Sequence, residues 1–223
     1  MASHLDLEEQ EQLDELKHFW QRWGDLITWL LIVVLGGYAA WMGWQSYAAK
    51  QAVQSAALYD TVERSAVSGD DALLDRSLSD IKDKFAGTTY AQQAALLAAR
   101  VYQDKDRKAD AKAQLAWVID KAGDEGYQAL ARLRLAALLI DEKAYDEARK
   151  HLTAATPDAF APLMADRLGD LAMLQAQPAE AVQQYQKAWK GFEPNAEYRR
   201  LVAVKLAALG ADPEETAAVE TKK

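Results

Sequence analysis

The chain has no cysteine, only three histidines, and no strand-like alternation of apolar and polar residues. The first absence excludes disulfides, zinc–thiolate sites and cysteine nucleophiles, and leaves the compartment open. His4, His18 and His151 lie far apart in sequence, and no HExxH, P-loop, GxGxxG or GxSxG pattern occurs. Carboxylates are plentiful but mixed with cations, as in Asp141, Glu142, Lys143, Asp146, Glu147, Arg149 and Lys150, the pattern of a solvated helix face. The sequence therefore shows no catalytic residues, no cofactor site and no metal ligands. A basic excess is also missing. The formal net charge is −8, and a mild acidic excess persists past residue 50, which opposes binding to nucleic acid.

One further absence is local. No charged side chain occurs between Asp25 and Lys50. At about 1.5 Å rise per residue, a helix of that length exceeds the roughly 30 Å hydrocarbon thickness of a bilayer. Its core, Leu26 to Leu35, has Thr28 as its single polar residue, and a helical hydroxyl can bond the carbonyl of the preceding turn. Trp20 and Trp23 flank one end, and Trp41, Trp44 and Tyr47 flank the other, as expected of rings anchored at both interfaces. A buried core helix is rarely free of charge for so long. A cleaved signal peptide would open on basic residues and carry a shorter apolar run. Here the residues before the run are acidic: Asp6, Glu8, Glu9, Glu11, Asp14 and Glu15. The segment is expected to remain as an anchor. Lys17 and Arg22 before it, against Lys50 and the more distant Arg64 after it, favour a cytoplasmic N-terminus and a C-terminal domain outside.

What is present is mostly helix. Residues 4–24 read as an amphipathic helix, with Asp6 and Glu9 as a capping-box-like start and Leu13, Leu16, Trp20 and Trp23 at helical spacing. That segment either leads straight into the anchor or serves as a short docking element. From Gln51 onward, breaks fall at Ser68-Gly69-Asp70, Ala86-Gly87-Thr88, Ala122-Gly123-Asp124, Thr156-Pro157 and Gly191-Phe192-Glu193-Pro194. They separate segments of helix-hairpin length.

Three of these hairpins share a phrase. An acid–alanine pair is followed by a large apolar residue and then by a small one. It occurs as Asp110-Ala111 with Leu115 and Val118, Glu147-Ala148 with Leu152 and Ala155, and Glu180-Ala181 with Tyr185 and Ala188. At a fixed distance before each alanine lies another small residue, Ala99, Ala136 or Gly169. Small residues let paired helices approach, and the large residue fills the gap against the neighbouring pair. The intervals lie close to the roughly 34 residues of the tetratricopeptide repeat, which the pattern resembles in degenerate form. Val118 departs from the small final position, and the usual tryptophan and terminal proline are missing or displaced. A weaker first helix pair is expected at about residues 52–67 and 71–85, and a capping helix from Asn195 to Leu209. The expected fold is all-α: a single N-terminal transmembrane helix followed by a tetratricopeptide-like α-solenoid of helical hairpins. Its divisions are a cytoplasmic amphipathic segment (1–25), the transmembrane helix (26–47), the repeat domain (48–209) and a disordered tail (210–223).

In such a stack the first helix of each pair lines a concave groove. The groove-facing positions expected from the register are Gln93, Leu96, Arg100 and Gln103, then Leu130, Leu133, Ala137 and Ile140, then Leu163, Asp166, Asp170 and Met173. An apolar floor with polar edges suits an extended or helical polypeptide better than a charged carboxy-terminal peptide. Register drift would instead place Leu133 and Ile140 in the core. Within the anchor, Gly36, Ala40 and Gly43 form one small-residue face on which another helix could pack closely.

The whole layout, including Phe19-Trp20-Gln21-Arg22-Trp23-Gly24 before the span, resembles the bacterial YfgM family, the ancillary subunit of the SecYEG translocon. The resemblance implies a single-pass inner-membrane protein with a periplasmic repeat domain. It implies association with the translocon and with PpiD, a membrane-anchored periplasmic chaperone, and a non-enzymatic role in handing exported polypeptides to periplasmic chaperones. Two other roles fit the same residues. One is a purely structural scaffold acting through Gly36, Ala40 and Gly43; the other is a regulator binding a signalling partner through residues 4–24.

Overall fold

The computed structural model describes residues 7–211 and 213. His4 and Asp6, and with Asp6 the expected capping box, lie outside them, as do Asp212 and the tail past Pro213. Nine helices and no strand occur among the described residues: α1 (Leu7–Ser68), α2 (Asp71–Phe85), α3 (Thr89–Asp104), α4 (Lys108–Lys121), α5 (Glu125–Asp141), α6 (Tyr145–Leu152), α7 (Ala161–Leu174), α8 (Pro178–Gly191) and α9 (Glu197–Ala208). The chain divides into two compact units between Val53 and Gln54.

The first unit consists of α1 up to Val53. The described part of the amphipathic segment leads straight into the apolar run, one of the two expected arrangements, and the first repeat helix, expected as a separate element, continues the same uninterrupted helix. The reason is local. From Leu26 to Ser68 no proline occurs, and a change from apolar to polar side chains does not break a helix. Large apolar side chains here face outward all round, with Trp29 68% and Val33 67% exposed. Among the described residues α1 carries one stretch long and apolar enough to cross a membrane. A helix apolar on every face is stable only against lipid or protein.

The second unit is an array of hairpins. Its N-terminal helix ends are capped where the breaks were expected: Asp70 accepts from Leu73 N at 3.0 Å, Thr88 from Ala91 N at 3.3 Å, and Asp124 from Gly126 N at 2.7 Å. Each such cap satisfies an otherwise unpaired backbone N–H and contributes about 1 kcal/mol. The pairs α3–α4, α5–α6 and α7–α8 are the three hairpins, and each packs on the next.

The shared phrase is where they touch. Ala111, Ala148 and Ala181 are fully buried, and Leu115, Leu152 and Tyr185 are buried beside them. Ala99 and Ala136 are buried on the facing helices, and at Gly169 an added Cβ would stand 2.5 Å from the Tyr185 ring. Glycine thus faces tyrosine at repeat positions that alanine and leucine hold in the other two hairpins. Ala155 departs from its expected place. Helix α6 ends at Leu152, so Ala155 lies beyond it and is exposed.

Each hairpin turns through a residue in the left-handed region: Asp106 (φ 58°), Lys143 (φ 61°) and Ala176 (φ 56°). The residue after each donates its N–H back across the turn, as Arg107 to Tyr102 O (2.7 Å), Ala144 to Leu139 O (2.8 Å) and Gln177 to Ala172 O (2.9 Å). These are Schellman closures, for which glycine is the usual residue. Between neighbouring elements, Arg107 meets Asp75 at 3.2 Å, Lys112 meets Glu142, and Arg149 meets Glu180. All six side chains are partly exposed, so each pair contributes about 0–1 kcal/mol.

Candidate protein-binding face

The first helices of successive hairpins stand side by side. Gln93 on α3 donates to the Tyr127 hydroxyl on α5 (2.8 Å), and Arg134 on α5 donates to Leu96 O on α3 (3.3 Å). Helix α7 packs on α5 in turn, and Lys205 and Tyr198 of α9 reach α7. The row α3–α5–α7 is the layer expected to line the groove, and α9 continues it at the capped end.

The structure places the expected groove residues unevenly. Leu96 is a correction: it is 5% exposed and belongs to the core, because α5 lies against this part of α3, with Arg134 bonded to the Leu96 carbonyl. Arg100, Gln103 and Ala137 are exposed. Leu130, Leu133 and Ile140 are half-buried, resting on the core with one side toward solvent, so neither an open groove nor a sealed core describes them. Met173 is 41% exposed, and Leu174 beside it is more so.

Asp166 and Asp170 do not form a free acidic edge. Asp166 is fully buried, accepting from Tyr198 Oη (2.8 Å) and Lys205 Nζ (2.7 Å). Asp170 accepts from Tyr185 Oη (2.7 Å), Lys205 Nζ (2.7 Å) and Arg167 (3.0 Å). Burial, then the hydrogen bond to Asp166, pushes the Tyr198 phenol up to about 12. Burial and Asp170 push Tyr185 upward as well. The network ties the capping helix to the last hairpin. On the other side of α9, Arg199 stacks 3.9 Å from the Trp189 ring centroid and donates to Trp189 O.

Sequence reasoning missed Arg134, Tyr198 and Lys205. Arg134 had a signal, since Arg134 and Arg167 stand equally far before Ala148 and Ala181 and so share one repeat position. The two residues on α9 had none, because a single capping helix has no second copy to set its register. His151 is half-buried on α6; burial and the nearby Arg132 lower its pKa, and Glu147 opposes them. No group of three or more His, Cys, Asp or Glu side chains able to hold a metal occurs among the described residues.

On α1, Gly36 and Gly43 have no atom within 4 Å of where a Cβ would stand, and Ala40 is exposed, so the small-residue face is open. Toward the N-terminus, Leu13, Leu16 and Trp20 form an exposed apolar strip beside Lys17 and Gln21.

Comparison with known proteins agrees with this architecture. Residues 17–211 match the family model described as a tetratricopeptide repeat-like domain. A protein of Neisseria gonorrhoeae named ancillary SecYEG translocon subunit is 33% identical over 210 residues, covering 94% of this chain and 100% of the relative. Proteins of the same name from Haemophilus influenzae and Escherichia coli are each 26% identical, covering 82% and 73% of this chain. The repeat fold and these relatives point to a non-enzymatic, protein-binding role. The array of hairpins, the apolar stretch of α1 and the end-to-end match together show that the chain belongs to the tetratricopeptide repeat-like family of ancillary SecYEG translocon subunits, the YfgM family its layout resembles.

Proposed function

We propose that this chain is a membrane-anchored subunit associated with the SecYEG translocon that assists handoff of exported polypeptides to periplasmic chaperones. The observation that carries this reading is the end-to-end similarity to the Neisseria relative, which spans both the membrane-length stretch and the repeats. The N-terminus lies in the cytoplasm, the helix crosses the bacterial inner membrane at about residues 26–47, and the hairpin array lies in the periplasm. The open face of Gly36, Ala40 and Gly43 packs against a membrane helix of the translocon or of a PpiD-like chaperone. The α3–α5–α7 face, with Arg100, Leu130, Leu133, Ile140 and Met173, receives a polypeptide. Anchoring makes that encounter effectively intramolecular, so weak contacts suffice for occupancy.

Site-specific photocrosslinking in living cells tests both halves. A photoreactive residue at exposed Ala137 should yield adducts with exported chains or a periplasmic chaperone, and one at Gly36 should yield adducts with translocon or chaperone helices. Adducts from Gly36 alone would leave a structural scaffold and overturn handoff. Loss of partner binding on deletion of residues 4–24, with the span kept, would favour the regulatory alternative.

A further inference from the structure

Arg100 on α3 and Arg134 on α5 face the same small cleft, about 300 Å³, whose other lining residues are Ala99 and Gln103. Both residues are exposed, so water screens their repulsion, and both are open to an anion from solvent. Arg134 is held by a backbone carbonyl, Leu96 O, and forms no ion pair with an acidic side chain among the described residues. Arg100 has only Asp104, 3.9 Å away, and both side chains are more than two-thirds exposed. The equivalent cation of the next repeat is treated differently: Arg167 is paired with Asp170 at 3.0 Å. Partial burial first, and then the charge of Arg100, pull the Arg134 pKa down. The chain as a whole carries a net charge of −8, so a locally uncompensated pair of arginines is not a general surface property. Gln103 adds an amide donor to the five N–H donors that each guanidinium carries.

We infer that this cleft is a carboxylate-binding subsite, and that the polypeptide received by the α3–α5–α7 face is one with an acidic stretch. The inference rests on the proposed polypeptide-binding role and adds its chemistry. Arg134 is held from α5 by its bond to Leu96 O, Arg100 approaches from α3, and their planar forks match carboxylates. The neighbouring half-buried Leu130, Leu133 and Ile140 offer apolar contact to the flanking residues of the same peptide. This reverses the expectation that a charged peptide suits the groove poorly. That expectation took Leu96 as part of the floor and left out Arg134.

Fluorescence anisotropy with the full chain in neutral detergent micelles tests it. The probes are a short fluorescein-labelled peptide of alternating glutamate and alanine and its glutamine–alanine counterpart. The glutamate peptide should bind about tenfold tighter, and the difference should shrink with added salt. Arg100→Gln alone should remove most of that preference, since Arg100 makes no contact that supports the fold, and Arg134→Lys should weaken it. Circular dichroism should show unchanged helicity. Equal affinity for the two peptides, or an Arg100→Gln variant that keeps the preference, would overturn the inference while leaving the groove as an apolar site. Competition by millimolar inorganic phosphate as effective as that by the unlabelled peptide would make it a generic anion site and overturn the peptide assignment. No binding of either peptide, with no photocrosslinks from Ala137, would instead remove the polypeptide-binding reading itself.

Discussion

The two units of this chain treat charge in opposite ways. From Leu26 to Ala49 the first unit has no charged side chain, although its side chains almost all face outward. The second unit buries Asp166 completely and surrounds it with Tyr198 and Lys205. Burial from water is thus not what bars a charge. A carboxylate inside the array has a cation and a phenol within 2.8 Å, whereas a charge on the outward face of α1 would meet only lipid tails.

Removing a charge should therefore harm one unit, and adding one should harm the other. Lys205→Met leaves Asp166 and Asp170 without their shared cation and should destabilise the array by about 3–5 kcal/mol, read as a lowered denaturant midpoint. In the other direction, Leu31→Arg should cost about 2.5–3.5 kcal/mol of membrane insertion, measured by carbonate extraction, while the array keeps its melting temperature. A Lys205→Met variant as stable as the parent would mean that the network is not a structural tie.

A smaller effect concerns packing. Gly169→Ala should cost about 1–3 kcal/mol because the new methyl meets the Tyr185 ring. Adding Tyr185→Leu should recover part of it, since the pair then matches the alanine and leucine found at the same repeat positions of the other hairpins, although Asp170 loses one donor. A double variant no better than the single one would place the strain elsewhere. The smallest effect is a gain. Lys143→Gly should stabilise by roughly 0.5–1 kcal/mol, because lysine pays the left-handed penalty at φ 61° and glycine does not. Chemical denaturation of the two proteins side by side measures it.

How far the sequence revealed these features depended on repetition. Ala111, Ala148 and Ala181 could be placed because three copies constrain one another, and all three are buried. The hairpin turns escaped notice because Asp106, Lys143 and Ala176 share a conformation but no side-chain chemistry. Leu96 and Asp166 were misplaced for a related reason. Periodicity identifies the face of a helix, yet which side chains on that face are covered depends on how the next helix crosses it. The join of the anchor to the first repeat helix was not expected, because hydropathy shifts near Lys50, and hydropathy does not govern backbone hydrogen bonding. The cleft between Arg100 and Arg134 needed both helices in place, since the two arginines occupy different repeat positions.

The glycine–tyrosine contact between α7 and α8 also sets a rule for how such a chain can be recombined. Tyr185 fits only a first helix with glycine at that point, since a Cβ at Gly169 would stand 2.5 Å from its ring. A crossover in the turn at Ala176 would join an alanine-bearing first helix to the tyrosine, or leave a void beneath a leucine. A crossover in the loops between hairpins, at Thr156-Pro157 or Gly191 to Pro194, moves both partners together. The exchangeable module of this array is the intact hairpin, and its single helices are not spare parts.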